Sequence, residues 1–327
     1  MPPAHDGRFN VKMNIIHAAT ELPPGDRQVC LAIGVFDGVH LGHQEIIRQT
    51  VADSRRIGAR PLVVTFDRHP NAIVAPDREP PRIFTRAQKL RAIAALGVET
   101  FLEIPFDLAF SRKPAEDFIR ELARTAGPIR SLCVGANFVF GHRRGGNVEL
   151  LKKLGAELHF QVHGLPAVAL DGQVVSSTRI REAIRSGDLD AASQMLGRPY
   201  GLGGPVVSGD RLGRQLGFPT ANLDTAGLVL PPTGVYAAET EVAGRNYRAA
   251  LNIGHRPTLA NPQPQLRVEA HLLDFEGDLY GAELELIPLV RLRSEQRFGS
   301  LTELREQIAR DVADARRAGA PDPGKTL

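Results

Sequence analysis

Only two cysteines occur in 327 residues, Cys30 and Cys133, and both stand in apolar, strand-like runs. Thiols in such settings read as buried structural residues, which sets aside a disulfide framework and a cysteine metal site. Net charge is scarce as well: forty Lys and Arg face thirty-seven Asp and Glu, a formal +3. That balance argues against a nucleic-acid surface, although local basic spots could hold phosphates. No run approaches the roughly 18 apolar residues of a membrane helix. The stretch Met1 to Thr20, interrupted by Pro2, Pro3, Asp6 and Asn10, lacks the apolar core of a secretory signal. These absences point to a cytoplasmic protein with neither membrane nor nucleic acid among its partners.

What remains is an ordinary soluble composition, 43% apolar and 24% charged, long enough for two domains. The first half alternates apolar strands with helical segments. Gln28–Phe36, Arg60–Phe66, Thr100–Ile104, Arg130–Gly135 and Glu157–His163 read as strands. Gly42–Ile57, Thr85–Leu96, Pro114–Thr125 and Asn147–Leu154 read as helices between them, and Thr178–Ser186 and Leu189–Leu196 follow. Such alternation implies a doubly wound α/β domain with ligands at the carboxyl ends of the strands. After Gly197-Arg198-Pro199 the pattern changes. Val235–Val242 and Arg245–Ile253 flank Ala243-Gly244, a hairpin signal. Leu259–Gln265, with Pro262 and Pro264, reads as a loop, and Leu266–Phe275 and Leu279–Arg291 are expected to pair around Glu276-Gly277-Asp278. An antiparallel sheet or barrel with a closing helix, Leu301–Arg317, is the expectation. Gly319 to Thr326 satisfies the phosphate-loop pattern GxxxxGK[ST], but the chain ends at Leu327 and no helix can follow. The match is accidental.

Gly34-Val35-Phe36-Asp37-Gly38-Val39-His40-Leu41-Gly42-His43 lies between a strand and a helix. His40 and His43 therefore sit near a helix N-terminus, where free N–H groups favour anions. Gly38 and Gly42 let backbone approach a phosphate, and two imidazoles can bond its oxygens as charge develops. Ser176-Ser177-Thr178-Arg179-Ile180-Arg181 opens another helix with hydroxyls and guanidinium forks.

In the second half, Gly209, Gly213 and Gly217 punctuate a loop that carries Asp210, Arg211 and Arg214 and leads into Phe218-Pro219-Thr220-Ala221-Asn222. Thr220 and Asn222 offer two neutral oxygens suited to a Mg²⁺ that shares phosphate ligands. On spacing alone the segment also fits a polar loop entering a strand. Strand alternation puts Leu266, Val268, Ala270 and Leu272 on one face and Arg267, Glu269 and His271 on the other. Glu269 could then accept a hydroxyl proton during phosphoryl transfer, or simply pair with Arg267.

Taken together these motifs resemble a known family. The form GxFDGVHxGH resembles the HxGH motif of nucleotidyltransferases and, more narrowly, the prokaryotic bifunctional riboflavin kinase/FMN adenylyltransferase (FAD synthetase) family. Thr65-Phe66-Asp67-Arg68-His69-Pro70 and Gly135-Ala136-Asn137 support the narrower match, as does Ser176–Arg181. The family usually has Pro where this chain has Arg68. The segment Phe218–Asn222 resembles the PTAN motif of riboflavin kinases, and Val268–Phe275 resembles the strand holding their catalytic glutamate. The resemblance implies two steps: riboflavin and ATP give FMN, then FMN and ATP give FAD and pyrophosphate. It implies an adenylyltransferase domain over 13–197, a kinase domain over 198–318 and a flexible tail over 319–327. In the first it implies catalytic His40 and His43, with ATP at Gly34, Phe36, Asp37, Gly38, Gly42, Ser177, Thr178 and Arg179, and FMN at Thr65, Asp67, His69 and Asn137. In the second it implies ATP at Gly213, Gly217, Phe218, Pro219, Thr220 and Asn222, Mg²⁺ at Thr220 and Asn222, and Glu269 as base. A flavin-binding regulator would not need His40, His43 and Glu269 together. Whether the chain forms a weak homo-oligomer stays open.

Overall fold

The computed structural model describes residues 13–22, 28–209, 212–258 and 261–318. The Gly319–Thr326 pattern and the tail over 319–327 lie outside them. Contacts divide the chain into two compact units: Met1–Arg82 with Arg86–Arg179, and Ile83–Thr85 with Ile180–Leu327.

The first unit is built on six strands: β1 (Asn14–Ile16), β2 (Val29–Ile33), β3 (Arg60–Phe66), β4 (Thr100–Ile104), β5 (Ile129–Gly135) and β6 (Gln161–Leu165). They run parallel in the order β1-β4-β3-β2-β5-β6. Strand β2, Val-Cys-Leu-Ala-Ile, is buried throughout, because helices cover both faces of the sheet. Alternation sends Leu31, Ile33, Leu62 and Val64 to one face, where Phe118, Ile119, Leu151 and Leu154 of the helices Ala115–Thr125 and Val148–Leu158 meet them. Ala32, Val63 and Phe101 point the other way, against Ile46, Ile47, Val51 and Ile93 of the helices Leu41–Ile57 and Arg86–Ala94. The chain winds from β2 to β3 and β4, then returns to the other flank of β2 with β5 and β6. That reversal opens a crevice beyond the carboxyl ends of β2 and β5. Cys30 and Cys133 are free and fully buried, and burial pushes the Cys133 thiol up to about 12.

Several boundaries differ from the sequence expectation: the strand expected over Gln28–Phe36 spans Val29–Ile33, and the one expected from Leu279 starts at Glu283. Glu157 and Leu158 belong to the helix Val148–Leu158, and β6 starts only at Gln161. His159, at φ 62°, takes the left-handed cap that ends the helix, a role more often filled by glycine. A two-residue hairpin follows, β7 (Ala169–Leu170) and β8 (Gln173–Val174), and then the helices Ser177–Ser186 and Leu189–Leu196.

The second unit holds a closed antiparallel barrel. Its strands are β9 (Leu202–Val207), β10 (Ala221–Leu223), β11 (Gly234–Val242), β12 (Arg245–Thr258), β13 (Asn261–Leu272) and β14 (Glu283–Arg293). Their order is β10-β13-β12-β11-β14-β9. Ala243 (φ 51°) and Gly244 (φ 78°) make the anticipated tight hairpin turn between β11 and β12. The expected pairing of the two strands around Glu276-Gly277-Asp278 does not occur. β13 pairs with β12 and β10, while β14 pairs with β11 and β9, so the connection spans the barrel instead of closing a hairpin. The segment expected as a loop also differs, since Asn261–Gln265 continues β13. There β13 pairs with β12 alone, β10 reaching only as far as Val268, and an edge tolerates the two prolines. Leu301–Arg317 is the closing helix, capped by Ser300 and tied to β14 by a two-bond fork from Arg293 to Asp311 at 2.8 and 2.6 Å.

Candidate active sites

At the carboxyl end of β2 the backbone turns sharply. Phe36 (φ 53°), Gly38 (φ 77°) and Val39 (φ 40°) all take left-handed conformations before His40 caps the helix Leu41–Ile57. Phe36 is fully buried and its ring lies under Gly34, where a Cβ would come within 3.0 Å of it. His40 Nδ1 accepts the His43 backbone N–H at 3.4 Å, and the two imidazoles stack with centroids 3.6 Å apart. Gly42 lies close under this stack, where a Cβ would stand 3.3 Å from His40 Cε1 and press on that ring. Phe36 closes the assembly edge-on, 5.3 Å from the His43 ring. Burial, then the neighbouring His40 and Lys89, hold the His43 imidazole well below its usual range, so it is neutral at physiological pH. Its Nδ1 is buried and makes no hydrogen bond.

Ser177 joins this turn, its hydroxyl donating to the Asp37 carbonyl at 3.1 Å. Thr178 is exposed beside it. Arg179 donates to the carbonyls of Leu170 (3.4 Å) and Gln173 (3.3 Å), so its guanidinium grips the β7–β8 hairpin. The structure therefore brings Gly34, Phe36, Asp37, Gly38, His40, Gly42, His43 and Ser177 to one turn. The residues expected towards the flavin hold their own loops. Thr65 is buried and donates to Val35 O at 3.1 Å, linking β3 to the same turn. Asp67 accepts the Phe106 N–H at 2.9 Å and the fork of Arg68 at 2.9 and 3.1 Å. Burial raises the Asp67 carboxyl, but these bonds outweigh it and bring it below the usual range. His69 Nδ1 accepts the Asn71 N–H at 3.1 Å at the start of the short helix that follows, and Asn137 is exposed after β5. Sequence reasoning missed a file of phenylalanines along this edge. Phe66, Phe106, Phe110, Phe118, Phe140 and Phe138 touch in succession at 5.2 to 6.4 Å. Their signal is a Phe at or just past the ends of β3, β4 and β5.

In the barrel unit, a cavity of about 420 Å³ lies between the outer wall of the strands and the closing helix. Arg267, Glu269 and His271 line it from β13, while Val268, Ala270 and Leu272 are buried. The alternation read from sequence holds there. Leu266 breaks it, being exposed at 37% near the open end of the strand. Glu269 stands in register between Asn222 on β10 and Asn252 on β12, so an acid is flanked by two amides on one wall. The glycine loop folds over this wall as its spacing suggests. A Cβ on Gly209 would lie 2.3 Å from the Asn222 amide, and one on Gly213 would meet Phe218 O at 2.4 Å and Thr220 Oγ1 at 3.2 Å. Gly217 turns the loop at φ 90°. Phe218 meets His271 edge-on at 5.7 Å, and His271 Nδ1 donates to Pro219 O at 2.7 Å. Asp210 and Arg211 lie outside the described residues. A second cavity of about 410 Å³, lined by Arg214, Pro219, Gly277 and Tyr280 among others, shares Thr220 with the first. No cluster of three or more His, Cys, Asp or Glu suited to a metal occurs among the described residues. The hydroxyl of Thr220 and the amide oxygen of Asn222, neutral and held under the glycine loop, fit a hard cation that keeps its waters and borrows phosphate charge.

Comparison with known proteins finds two family matches, one in each half of the chain. The FAD synthetase family matches residues 23–179, and the riboflavin kinase family matches residues 196–318. The bifunctional riboflavin kinase/FMN adenylyltransferase of Escherichia coli (strain K12) is 38% identical over 306 residues, covering 93% of this chain and 97% of that protein. The protein of the same name from Bacillus subtilis (strain 168) is 34% identical, covering 87% and 90%. A solved structure described as a macrolide-efflux protein from Streptococcus pneumoniae superposes with a TM-score of 0.77 at 29% identity, covering 93% of this chain and 99% of that one. Among the described residues of this chain, no helix is long and apolar enough to cross a membrane. The chain belongs to the bifunctional riboflavin kinase/FMN adenylyltransferase family, and it is an enzyme of two activities, one for each match.

Proposed function

We propose that the two steps are carried by the two constellations described above, each complete within one compact unit. In the barrel, Glu269 accepts the proton of the ribityl 5′-hydroxyl of riboflavin as that oxygen attacks the γ-phosphorus of ATP. Riboflavin occupies the cavity that Glu269 lines, and ATP enters through the neighbouring one. Their shared wall at Thr220 is where the γ-phosphate meets the hydroxyl. The glycine loop from Gly213 through Gly217, Phe218 and Pro219 covers the phosphates. Thr220 and Asn222 hold Mg²⁺, which supplies charge neutralisation on those phosphates. The observation that carries this assignment is the register of Glu269 against Asn222 on a cavity wall.

In the α/β unit, a phosphate oxygen of FMN attacks the α-phosphorus of ATP. The bond from that phosphorus to the bridging oxygen breaks, and pyrophosphate leaves with the electron pair. His40 and His43 donate to the triphosphate from the turn, opposite Ser177, Thr178 and Arg179. The nucleophile is already an anion, so the imidazoles stabilise charge and need not remove a proton. Thr65, Asp67, His69 and Asn137 shape the flavin side. Free buried thiols suit a reducing cytoplasm.

Chromatography of riboflavin incubated with Mg–ATP tests the reading directly. FMN is expected first and FAD after it. FMN that accumulates without FAD would remove the adenylyltransferase assignment, and the absence of both products would remove the kinase assignment.

A further inference from the structure

Lys89 is the fourth residue of the helix Arg86–Ala94, which packs against the turn Asp37–Val39. The side chain is half-buried, and among the described residues its ammonium makes no hydrogen bond or ion pair, with the Phe101 ring 5.9 Å from Nζ. At that distance a ring compensates weakly for a desolvated cation. The neighbouring Arg86 contrasts with it. Arg86 is matched by the buried Glu103 through bonds of 2.7 and 2.9 Å, and so that carboxylate is already engaged. The charged groups around Lys89 are Glu103, Asp37, Arg86 and Arg82, and burial lowers its pKa despite the two acids. Its field also reaches His43, whose buried Nδ1 has no partner. A lysine on a helix packed against the Asp37–Val39 turn and an unmatched imidazole nitrogen on the helix that follows that turn therefore share one glycine-bearing neighbourhood. A multiply charged oxyanion would satisfy both.

We propose that Lys89 is a further catalytic residue of adenylyl transfer, its ammonium binding the β- and γ-phosphate oxygens of ATP beside His43. As the bond between the α-phosphorus and the bridging oxygen breaks, the electron pair goes to pyrophosphate, and Lys89 carries the charge that grows there. No proton moves. Among the cations near the turn, Arg86 is held by Glu103, and a lysine reaching over a phenylalanine can follow a leaving group as a compact charge.

The inference rests on the reading of the His40–His43 turn as an ATP site. The full-length chain is compared with Lys89→Met and Lys89→Arg. For Lys89→Met, kcat/KM for FAD formation from FMN is expected to fall about 10²- to 10³-fold. Phosphorylation of riboflavin by the same sample should be unchanged. Its melting temperature should stay level or rise, because an uncompensated cation has been replaced by an apolar chain of similar length. In the reverse reaction, FAD with pyrophosphate, the KM for pyrophosphate should rise at least about tenfold with the KM for FAD unchanged. Lys89→Arg should recover part of the loss. FAD formation by Lys89→Met within about threefold of the parent would overturn the proposal. So would a lowered melting temperature with an unchanged KM for pyrophosphate, which would make Lys89 a packing residue. A parent chain that makes FMN but no FAD would overturn the underlying site as well.

Discussion

The two proposed sites solve the problem of transferring a phosphorus group with opposite chemistries. The α/β turn offers stacked imidazoles, one of them neutral, at a helix N-terminus, with Lys89 nearby. The barrel wall offers a carboxylate flanked by two amides beneath a glycine loop. The nucleophiles account for the difference. FMN brings a phosphate that is ionised before it reacts, so its site needs only donors and cations for the departing pyrophosphate. Riboflavin brings a hydroxyl whose proton must go somewhere, so its site needs a base and a metal that cancels phosphate charge without protonating that base. Each set of side chains would be inert in the other's place.

The sharpest way to break this comparison is Glu269→Gln, which keeps shape and removes the base. FMN production is expected to fall about 10²- to 10⁴-fold. FAD production from supplied FMN should persist. Phosphorylation near the parent rate would show that the hydroxyl loses its proton elsewhere. The mirror experiment is His43→Ala, with FAD formation down about 10²- to 10³-fold and riboflavin phosphorylation intact. Equal loss of both activities would mean that the substitution unfolds the chain and that the imidazole stack is structural.

The parts of this comparison that sequence made legible are local. His40, Gly42 and His43 could be placed because a strand, a turn and a helix follow within a few residues, and Glu269 because alternation along one strand assigns faces. Sequence could not show that Gly42 also lies close under the His40 ring, where a Cβ would stand 3.3 Å from Cε1. What stayed hidden depends on distant pairing. The partner of β13 is fixed by closure of the barrel through β9 and β10, not by the turn that follows it. The phenylalanine file is assembled from separate loops, each contributing rings with no pattern of their own. Lys89 sits on a helix whose sequence looks like any charged surface helix, and only packing against the Asp37–Val39 turn distinguishes it.

The boundary between the two chemistries offers a smaller test. The expected kinase domain starts at 198, yet contacts assign Ile180 onward to the barrel's unit, along with Ile83–Thr85. Ile180, Ile184, Ala192, Met195 and Leu196 are buried in that stretch. We propose that the barrel folds alone and makes FMN without FAD, and that a fragment from Ile180 melts several degrees above one from Leu196. Removing buried Ile and Met side chains forfeits roughly 1.5–3 kcal/mol each. Equal melting temperatures would place the working boundary at the Gly197-Arg198-Pro199 break. A soluble, folded fragment unable to phosphorylate riboflavin would mean that the kinase site needs residues of the α/β unit.

The smallest expected effect lies in acid. Burial, then His40 and Lys89, depress the folded pKa of His43 below 6.5, whereas the unfolded chain protonates it near that value. Between the two values the unfolded state holds a proton that the folded state lacks, so stability rises with pH across that window. The contribution is present above pH 6.5 and is lost as pH falls from there towards the folded pKa. Carboxylates such as Asp67, with an ordinary value of 3.8 and a lowered folded one, act only in more acidic solution and leave this window clear. Urea titrations of the full-length chain at intervals from pH 7 to pH 5 should therefore show declining stability, and His43→Gln should flatten that decline by up to one proton. Identical slopes for the two proteins would mean that His43 takes up its proton in the folded chain near pH 6.5. The turn would then present a cation to ATP, and the contrast with the barrel would rest on charge alone.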